Sequence, residues 1–167
     1  MNLWTFPEMT YTRPDFEAAK KQLTEWKERV ESAASAQDVF DVIAELDEEN
    51  KHLKTQLTLV YVRHTIDTTD EYYEKEQEYL DEQLPEVSPY TIALSSAIAD
   101  SPFRPEIEAK YGKQYFTQID LQKRSFCEAN IPLMQRESKL TMEYQKIMAG
   151  CQIEFDGKTL NLYGIQK

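Results

Sequence analysis

Residues 63–73 read RHTIDTTDEYY and hold both the end of one predicted helix and the start of the next. Thr68 and Glu71 have the spacing of a capping box, in which a hydroxyl accepts from a helical N–H and the acid reaches back. His64 lies before this corner, where a cationic side chain is favourable at a helix C-terminus. The stretch therefore predicts two long helices joined by a short corner, with the second helix packing back along the first.

The helix before the corner has the most regular apolar pattern in the chain. Its stripe follows an alternating four-three spacing, which is typical of coiled-coil-like packing: Val39, Ile43, Leu46, Asn50, Leu53, Leu57, Val60 and His64. A helix over 39–64 extends roughly 39 Å at 1.5 Å per residue, so it needs partners along its whole length. Asn50 within the stripe is predicted to set the register with a neighbouring helix at some cost in stability.

An earlier helix supplies part of that partner surface. A capping box at Thr12 and Asp15 predicts its start, and a second box at Ser35 and Asp38 predicts the start of the following helix. Between them, one apolar stripe recurs at helical spacing: Phe16, Ala19, Leu23, Trp26 and Val30. Residues 32–36 are a short connector, so these two helices are expected to form an antiparallel hairpin.

Beyond the corner, prolines and glycines divide the chain. The helix that begins near Asp70 is expected to break or kink between residues 84 and 89, because a proline clashes with the preceding helical turn. A short helix over 105–112 should end at its glycine, which tolerates a left-handed cap. Two further helices are predicted over about 113–126 and 131–149.

The C-terminal part changes to an alternating pattern. Two runs of alternating polar and apolar residues in 152–162 flank Asp156 and Gly157, and Asp-Gly between such runs is a strong hairpin signal. Because an isolated hairpin is marginal in water, it should pack on the helices or pair with other chain. The predicted fold is mainly α, an antiparallel bundle of long-helix hairpins with one C-terminal β-hairpin, forming a single domain over 1–167.

Charge and composition exclude several function classes. The chain has 167 residues and a net charge of −11, which disfavours nucleic acid and membrane surfaces as partners but attracts cationic peptides or metal ions. Cys127 and Cys151 form no Cys-x-x-Cys pair and no disulfide framework. No run approaches the apolar length of a membrane helix. A cytoplasmic location is expected.

Candidate chemistry in the sequence is sparse. Glu49 and His52 match one half of the Glu-x-x-His motif of di-iron bundles, but the second copy is absent, so a solvated face is favoured over a metal site. His64 is interpreted as a packing residue, hydrogen-bonded or placed at a helix C-terminus. Arg63 and Asp67, at i and i+4, are expected to form a local ion pair.

Catalytic signatures are missing from the chain. It has no His-Glu-x-x-His, which a zinc hydrolase needs for two ligands and a general base on one helix. It has no Gly-x-Ser-x-Gly elbow and no glycine-rich phosphate loop either. We therefore assign no catalytic, cofactor-binding or metal-binding residue.

Three tyrosines are the remaining candidates for a binding surface. Tyr72, Tyr73 and Tyr79 lie close together on the predicted third helix, and tyrosine combines apolar area with a polar hydroxyl. They are candidates for lining a peptide groove. Core packing with the hydroxyls at the rim is the alternative, and it is the favoured one.

Four stretches in fixed order resemble one enzyme family. Residues 11–16 (YTRPDF), 63–73, 101–112 (SPFRPEIEAKYG) and 152–160 (QIEFDGKTL) together resemble the N-terminal region of oligoendopeptidase F-type zinc metallopeptidases, which are similar to thimet oligopeptidases. The resemblance implies a predominantly helical cytoplasmic enzyme that cuts short peptides in a deep channel. Its zinc is held by the two histidines of His-Glu-x-x-His and a downstream glutamate. None of these ligands has a counterpart in this chain.

The resemblance implies a non-catalytic helical lobe, inactive alone, that lines or limits access to the substrate channel. Its expected partners are the remainder of a peptidase chain and short peptides. Self-association, as a homodimer, is expected where apolar surface is left uncovered. The alternative is a stand-alone acidic helical module that binds a protein or peptide partner.

Overall fold

The computed structural model describes residues 5–165, apart from the side chain of Tyr163. The ends of the predicted domain, residues 1–4 and 166–167, lie outside the described residues. The helices are α1 (Phe16–Glu31), α2 (Ala36–Ile66), α3 (Glu71–Asp100), α4 (Arg104–Tyr111), α5 (Lys113–Ser125), α6 (Ile131–Gly150) and α7 (Leu162–Ile165). Strands β1 (Ile153–Phe155) and β2 (Lys158–Leu160) form an antiparallel pair. The prediction of a mainly helical fold with one C-terminal hairpin is confirmed.

Three side chains cap the starts of the long helices. The predicted capping box at Ser35 and Asp38 is confirmed, with both reciprocal contacts formed. The other two predicted starts are displaced. Asp15 caps α1 and Asp70 caps α3, whereas Thr12 and Thr68 were the predicted caps. Asp70 accepts hydrogen bonds from two helical N–H groups at once. Because its carboxylate is charged, these hydrogen bonds are stronger than those that the neutral hydroxyl of Thr68 could accept.

The corner between α2 and α3 is held by Asp67. Its carboxylate accepts hydrogen bonds from the backbone N–H and the hydroxyl of Thr69, at 2.9 and 2.6 Å. The predicted ion pair between Arg63 and Asp67 is wrong, because Arg63 donates to the carbonyl of Met9 instead. Asp67 is therefore engaged in the local turn, and Arg63 forms a long-range contact instead.

Helix α3 runs unbroken through Pro85 and Pro89, so of the predicted break or kink between residues 84 and 89 the break is wrong. Each proline removes one backbone donor, but both lie in a helix whose apolar face is buried against its neighbours. Pro85 itself is buried, as are Val87 and Leu94. Packing along the helix outweighs the local cost of the prolines.

The core lies where α1, α2 and α3 meet, and α4 and α5 extend it. It consists of Phe16, Leu23, Trp26, Val30, Val39, Val42, Ile43, Val60, Leu80, Val87, Leu94, Ile98, Ala99, Ile107, Phe116 and Ile119. Helix α1 contacts α3 more extensively than it contacts α2. The stripe of α2 is therefore buried at its two ends but not in the middle, where Leu46 and Leu53 are half-buried and Asn50 is exposed. Asn50 does not lie in a helix–helix contact.

Gly112 separates α4 from α5 as predicted. Its backbone has φ 83° and ψ 164°, a combination that is open almost only to glycine. The turn directs Phe116 and Ile119 of α5 into the core, where both are buried.

The C-terminal part of the chain, from α6 onward, is attached more loosely. None of the described side chains of α6 is buried, although the helix predicted there is confirmed. The turn between β1 and β2 has positive φ at both Asp156 and Gly157, as the Asp-Gly signal indicates. Phe155 remains 63% exposed, so the helices do not cover that side of the hairpin as expected. No described helix combines the length and apolar character that a membrane span needs.

Replacing Gly112 by alanine should destabilise the fold by about 1–3 kcal/mol, because an L-residue is strained at this backbone conformation. The space around the added methyl is open, so the cost is conformational. Urea unfolding measures it. The matched control is Gly150→Ala, where space is also open but φ is not positive, and stability should stay equal or rise by up to about 1 kcal/mol. Equal effects of both substitutions on stability would contradict a cost that arises from the backbone conformation of Gly112.

Candidate functional site

A buried carboxylate on α3 anchors the N-terminal segment, residues 5–15. Glu76 is 2% exposed, and it accepts hydrogen bonds from the hydroxyl of Tyr11 at 2.7 Å and from Nε of Arg13 at 2.9 Å. A second guanidinium nitrogen of Arg13 completes a bidentate pair with the same carboxylate. The Arg13 hydrogen bond lowers the pKa of Glu76 against the opposing effect of burial, and the Tyr11 hydrogen bond adds to that lowering. The charge on Glu76 is thus kept inside the fold.

Further polar contacts hold the same segment against α2. The amide of Thr12 donates to the side-chain oxygen of the buried Gln56 at 2.8 Å. Arg63 donates to the carbonyl of Met9 and stacks over the ring of Phe6, with 5.6 Å between its Cζ and the ring centroid. The N-terminal segment therefore crosses both long helices near their connecting corner and is pinned to each.

Two of the three candidate tyrosines take part in this anchoring. The Tyr79 hydroxyl donates to the carbonyl of Pro14 at 3.1 Å, and the Tyr73 hydroxyl accepts from Arg63. Both rings pack against the core. Tyr72 is 55% exposed and meets the Tyr73 ring edge-on, with centroids 4.9 Å apart. The packing role is observed for Tyr73 and Tyr79. Peptide contact by the three tyrosines stays a prediction, with Tyr72 the most accessible of them.

A groove separates α6 from the hairpin of α2 and α3. Helix α6 is fastened to α3 at two polar points about three turns apart. Gln135 donates to the carbonyl of Glu82 at 2.8 Å, and Lys146 pairs with Glu74. Between these points lies an open groove of ≈ 670 Å³. Its walls come mainly from α3 and α6, and part of its floor comes from α2.

The polar groups on the α3 side of the groove are incompletely paired. The amide nitrogen of Gln77 donates to the carboxylate of Asp81 at 3.0 Å, but the buried Gln77 Oε1 has no partner among the described residues. Burial raises the pKa of Asp81, against the smaller effects of the Gln77 hydrogen bond and the nearby His64. His64 is 2% exposed and its Nδ1 also lacks a partner in the described part of the chain. Its predicted packing role is confirmed, without a hydrogen bond at Nδ1.

Metal-binding side chains are not brought together in the described part of the chain. Within residues 5–165, no three side chains of His, Cys, Asp or Glu are placed to hold one ion. His52 and Glu49 are both exposed on the outer surface of α2. They lie on the rim of a second cavity of ≈ 360 Å³ between α1 and α2.

Glu76, Gln77 and Asp81 were not singled out from the sequence. Glutamate is usually exposed, so an acid within a helix carries no burial signal of its own. The available signal was spacing, since Glu76 lies three residues after Tyr73 and four before Leu80, on the apolar face of α3. The pairing of Gln77 with Asp81 is an ordinary i, i+4 contact whose importance depends on the distant α6.

The arrangement of the helices is similar to that of a segment of known peptidases. The profile of the Peptidase M3 N-terminal domain matches residues 6–126. This chain belongs to that family, the N-terminal domains of oligoendopeptidase-like M3 peptidases. The matched region ends just after α5, so α6 and the hairpin lie beyond it.

Solved structures extend the similarity through the hairpin. A protein described as an oligoendopeptidase F is 33% identical, with a TM-score of 0.92 over 98% of this chain and 29% of that one. PZ peptidase A, solved with an inhibitor, is 32% identical, with a TM-score of 0.91 over 97% of this chain and 29% of its own. A protein described as an oligoendopeptidase F from Bacillus anthracis is 33% identical, with a TM-score of 0.90 over 97% of this chain and 30% of that one. The chain thus spans less than a third of the solved structures it matches. No curated protein matches it.

Replacing Glu76 by glutamine should destabilise the fold by about 2 kcal/mol at pH 7, because Arg13 loses a buried charged acceptor. The pKa of Glu76 is lowered in the folded state, so the carboxylate stabilises the fold above its unfolded value of 4.5. That contribution is lost as the pH falls through the folded pKa. The difference between the wild type and Glu76→Gln should therefore shrink below pH 4.5. Urea unfolding at a series of pH values measures it.

The matched control is Glu71→Gln on the same helix, where the carboxylate is 85% exposed. Its stability should stay within about 0.5 kcal/mol of the wild type at every pH. A Glu76→Gln effect that is equally large at pH 3 and pH 7 would contradict a charge-dependent anchor.

Proposed function

We propose that this chain is the non-catalytic lobe of a zinc-dependent cytoplasmic peptidase that hydrolyses short peptides. In this role it forms part of the wall of the substrate channel and limits access to it. Its partner is the remainder of a peptidase chain, which supplies the catalytic residues. Membership of the Peptidase M3 N-terminal domain family supports the proposal, together with the TM-scores above 0.9 to solved oligoendopeptidases.

The observation that carries the partner proposal is the uncovered apolar face of α6. Leu133, Leu140, Tyr144 and Ile147 follow a seven-four-three spacing and are 54–71% exposed. Such a stripe on a water-soluble helix is the pattern of one half of a helix–helix contact. Contiguous exposed apolar surface of this kind marks an interaction site. We infer that the catalytic part of the peptidase packs over this face of α6, because the matched structures are more than three times as long as the region that this chain covers.

Zinc, which the family implies, does not fit the residues of this chain. The sequence has no His-Glu-x-x-His, and the described residues bring no three metal-binding side chains together. Zinc would be held entirely by residues of the catalytic part. There the metal ion would polarise the peptide bond and activate water. This chain contributes shape and surface to the reaction.

A chimera tests the proposal. In it, this chain replaces the matching N-terminal segment of a solved oligoendopeptidase F that is 33% identical to it. The chimera should cleave quenched fluorescent peptides of about ten residues and leave an unfolded protein substrate uncut, whereas this chain alone with added zinc should cleave neither. A chimera that folds and binds one zinc ion per chain but cleaves no peptide would contradict the lobe assignment. A chimera that also degrades the unfolded protein would contradict the access-limiting role.

The alternative is a stand-alone interaction module in which a second copy of the chain covers α6. The same exposed stripe favours it, because pairing of two α6 helices would bury these side chains in an isologous contact. Light scattering over a concentration series decides this. A homodimer that Leu140→Glu converts to a monomer, and that persists when the catalytic part is added, would favour the module. The control is Leu121→Glu on α5, which is similarly exposed at 59% but lies off the stripe and should leave the mass unchanged. We expect a monomer–dimer equilibrium that the catalytic part displaces.

A further inference from the structure

The groove between α3 and α6 is lined on two sides by apolar side chains. Leu84 and Pro85 of α3 form one wall, and Met134 and Met142 of α6 form the other. Tyr61 of α2, which is 52% exposed, also lines the groove. Methionine is unbranched and polarisable, so these walls can adapt to side chains of different shape. At ≈ 670 Å³ the groove has the size of a peptide-side-chain or small-ligand site.

The ionisable side chains that line the groove are all acidic. Asp81 lies on the α3 wall and Glu137 on the α6 wall, and no lysine, arginine or histidine is among the described lining residues. Neither acid forms an ion pair with another described residue, and the Asp81 carboxylate accepts a single hydrogen bond, from Gln77. A carboxylate has about four acceptor positions, so most of those on Asp81 remain open.

A further acceptor lies one turn along α3. Gln77 Oε1 is buried and has no partner within the described residues, while the nitrogen of the same amide is committed to Asp81. A buried acceptor without a donor costs free energy, so the polar groups beside Asp81 are incompletely satisfied. The groove therefore offers acceptors from both walls and apolar contact between them. What its described lining lacks is positive charge.

We propose that this groove binds a peptide segment through one arginine or lysine side chain flanked by apolar residues. The cationic head lies between Asp81 and Glu137, its N–H groups reach the open acceptor positions on Asp81, and the flanking side chains pack on Met134 and Met142. A guanidinium matches these acceptors better than an ammonium, because it presents several planar donors. Burial, which raises the pKa of Asp81, gives the incoming cation a carboxylate that water screens less than a surface acid.

This inference deepens the proposed function by naming a class of peptide, and it rests on that function only for the source of the peptide. Binding is measured on this chain alone, with no catalytic part present. Failure of the groove and failure of the chimera are therefore independent results.

Fluorescence polarisation with the labelled peptide Ala-Leu-Arg-Leu-Ala-Ala tests the proposal. The peptide should bind, its lysine counterpart should bind more weakly, and its glutamate counterpart should not bind measurably. Asp81→Asn and Glu137→Gln should each weaken binding of the arginine peptide about tenfold, since each removes one charge partner of the cation. Replacing both flanking leucines by glycine should weaken it by a similar factor. Equal affinity for the arginine and glutamate peptides would overturn the proposal.

Matched controls separate the groove from the general acidity of the chain. Asp41 accepts from Gln37 at i−4, just as Asp81 accepts from Gln77, but Asp41 is exposed on a distant part of α2. Asp41→Asn removes the same charge and should leave peptide affinity within twofold, as should Glu106→Gln on the exposed surface of α4. If the controls weaken binding as much as Asp81→Asn does, attraction is non-specific and the proposal is overturned.

Two further outcomes decide the remaining points. If Asp81→Asn disturbs folding, Glu137→Gln still tests the site, because Glu137 is exposed at the edge of the groove and makes no described hydrogen bond. Unchanged affinity in Glu137→Gln would count against the cation position. Argininamide and spermidine supply positive charge without a peptide, so competition by either one at the concentration of the peptide would overturn the assignment to a peptide segment.

Discussion

The fold depends on one buried charge, the Glu76 carboxylate near the N-terminus of α3. Taking a carboxylate out of water is costly unless its acceptor positions are filled, and here they are filled by Tyr11 and Arg13 from a segment distant in sequence. The N-terminal segment cannot leave α3 without exposing or orphaning this group. Its position in turn places Asp15 and Phe16, where α1 begins, against the same helix.

This anchor explains why α1 packs on α3 more than on its sequence neighbour α2. The centroids of the Phe16 and Tyr79 rings are 5.7 Å apart, and Cζ of Arg13 lies over the Tyr79 ring, 4.7 Å from its centroid. The anchored segment, α1 and α3 therefore form one packed unit. Helix α2 packs against this unit with the two ends of its apolar stripe, while the middle of that stripe is only half-buried. The result is a well-packed part of the molecule beside a loosely fastened α6, and the uncovered surface lies on α6.

Sequence patterns were sufficient for features that local chemistry decides. The α2–α3 corner, the Ser35 capping box, the Gly112 turn and the Asp156-Gly157 hairpin all follow from short-range rules, and all are observed. Patterns failed where distant packing competes with them. Pro85 indicated a break, but burial of α3 on several sides keeps the helix continuous.

The candidate sites show the same limit. The sequence suggests a cluster of three tyrosines, Tyr72, Tyr73 and Tyr79. In the structure, Tyr73 is engaged by Arg63 and Tyr79 by the Pro14 carbonyl. Neither partner is local. The groove acids Asp81 and Glu137 are separated by more than fifty residues and become neighbours only when α6 returns along α3. No spacing rule relates two residues across such a return. The family resemblance was recognisable from sequence because several short stretches keep their order.

The central claim is that this chain is one lobe of a peptidase whose catalytic residues lie elsewhere in the same polypeptide. The coding sequence downstream of the codon for Lys167 tests it most directly. The account predicts an open reading frame of several hundred further codons that includes a His-Glu-x-x-His helix. A stop codon immediately after Lys167 would contradict it and leave the exposed face of α6 to a different partner.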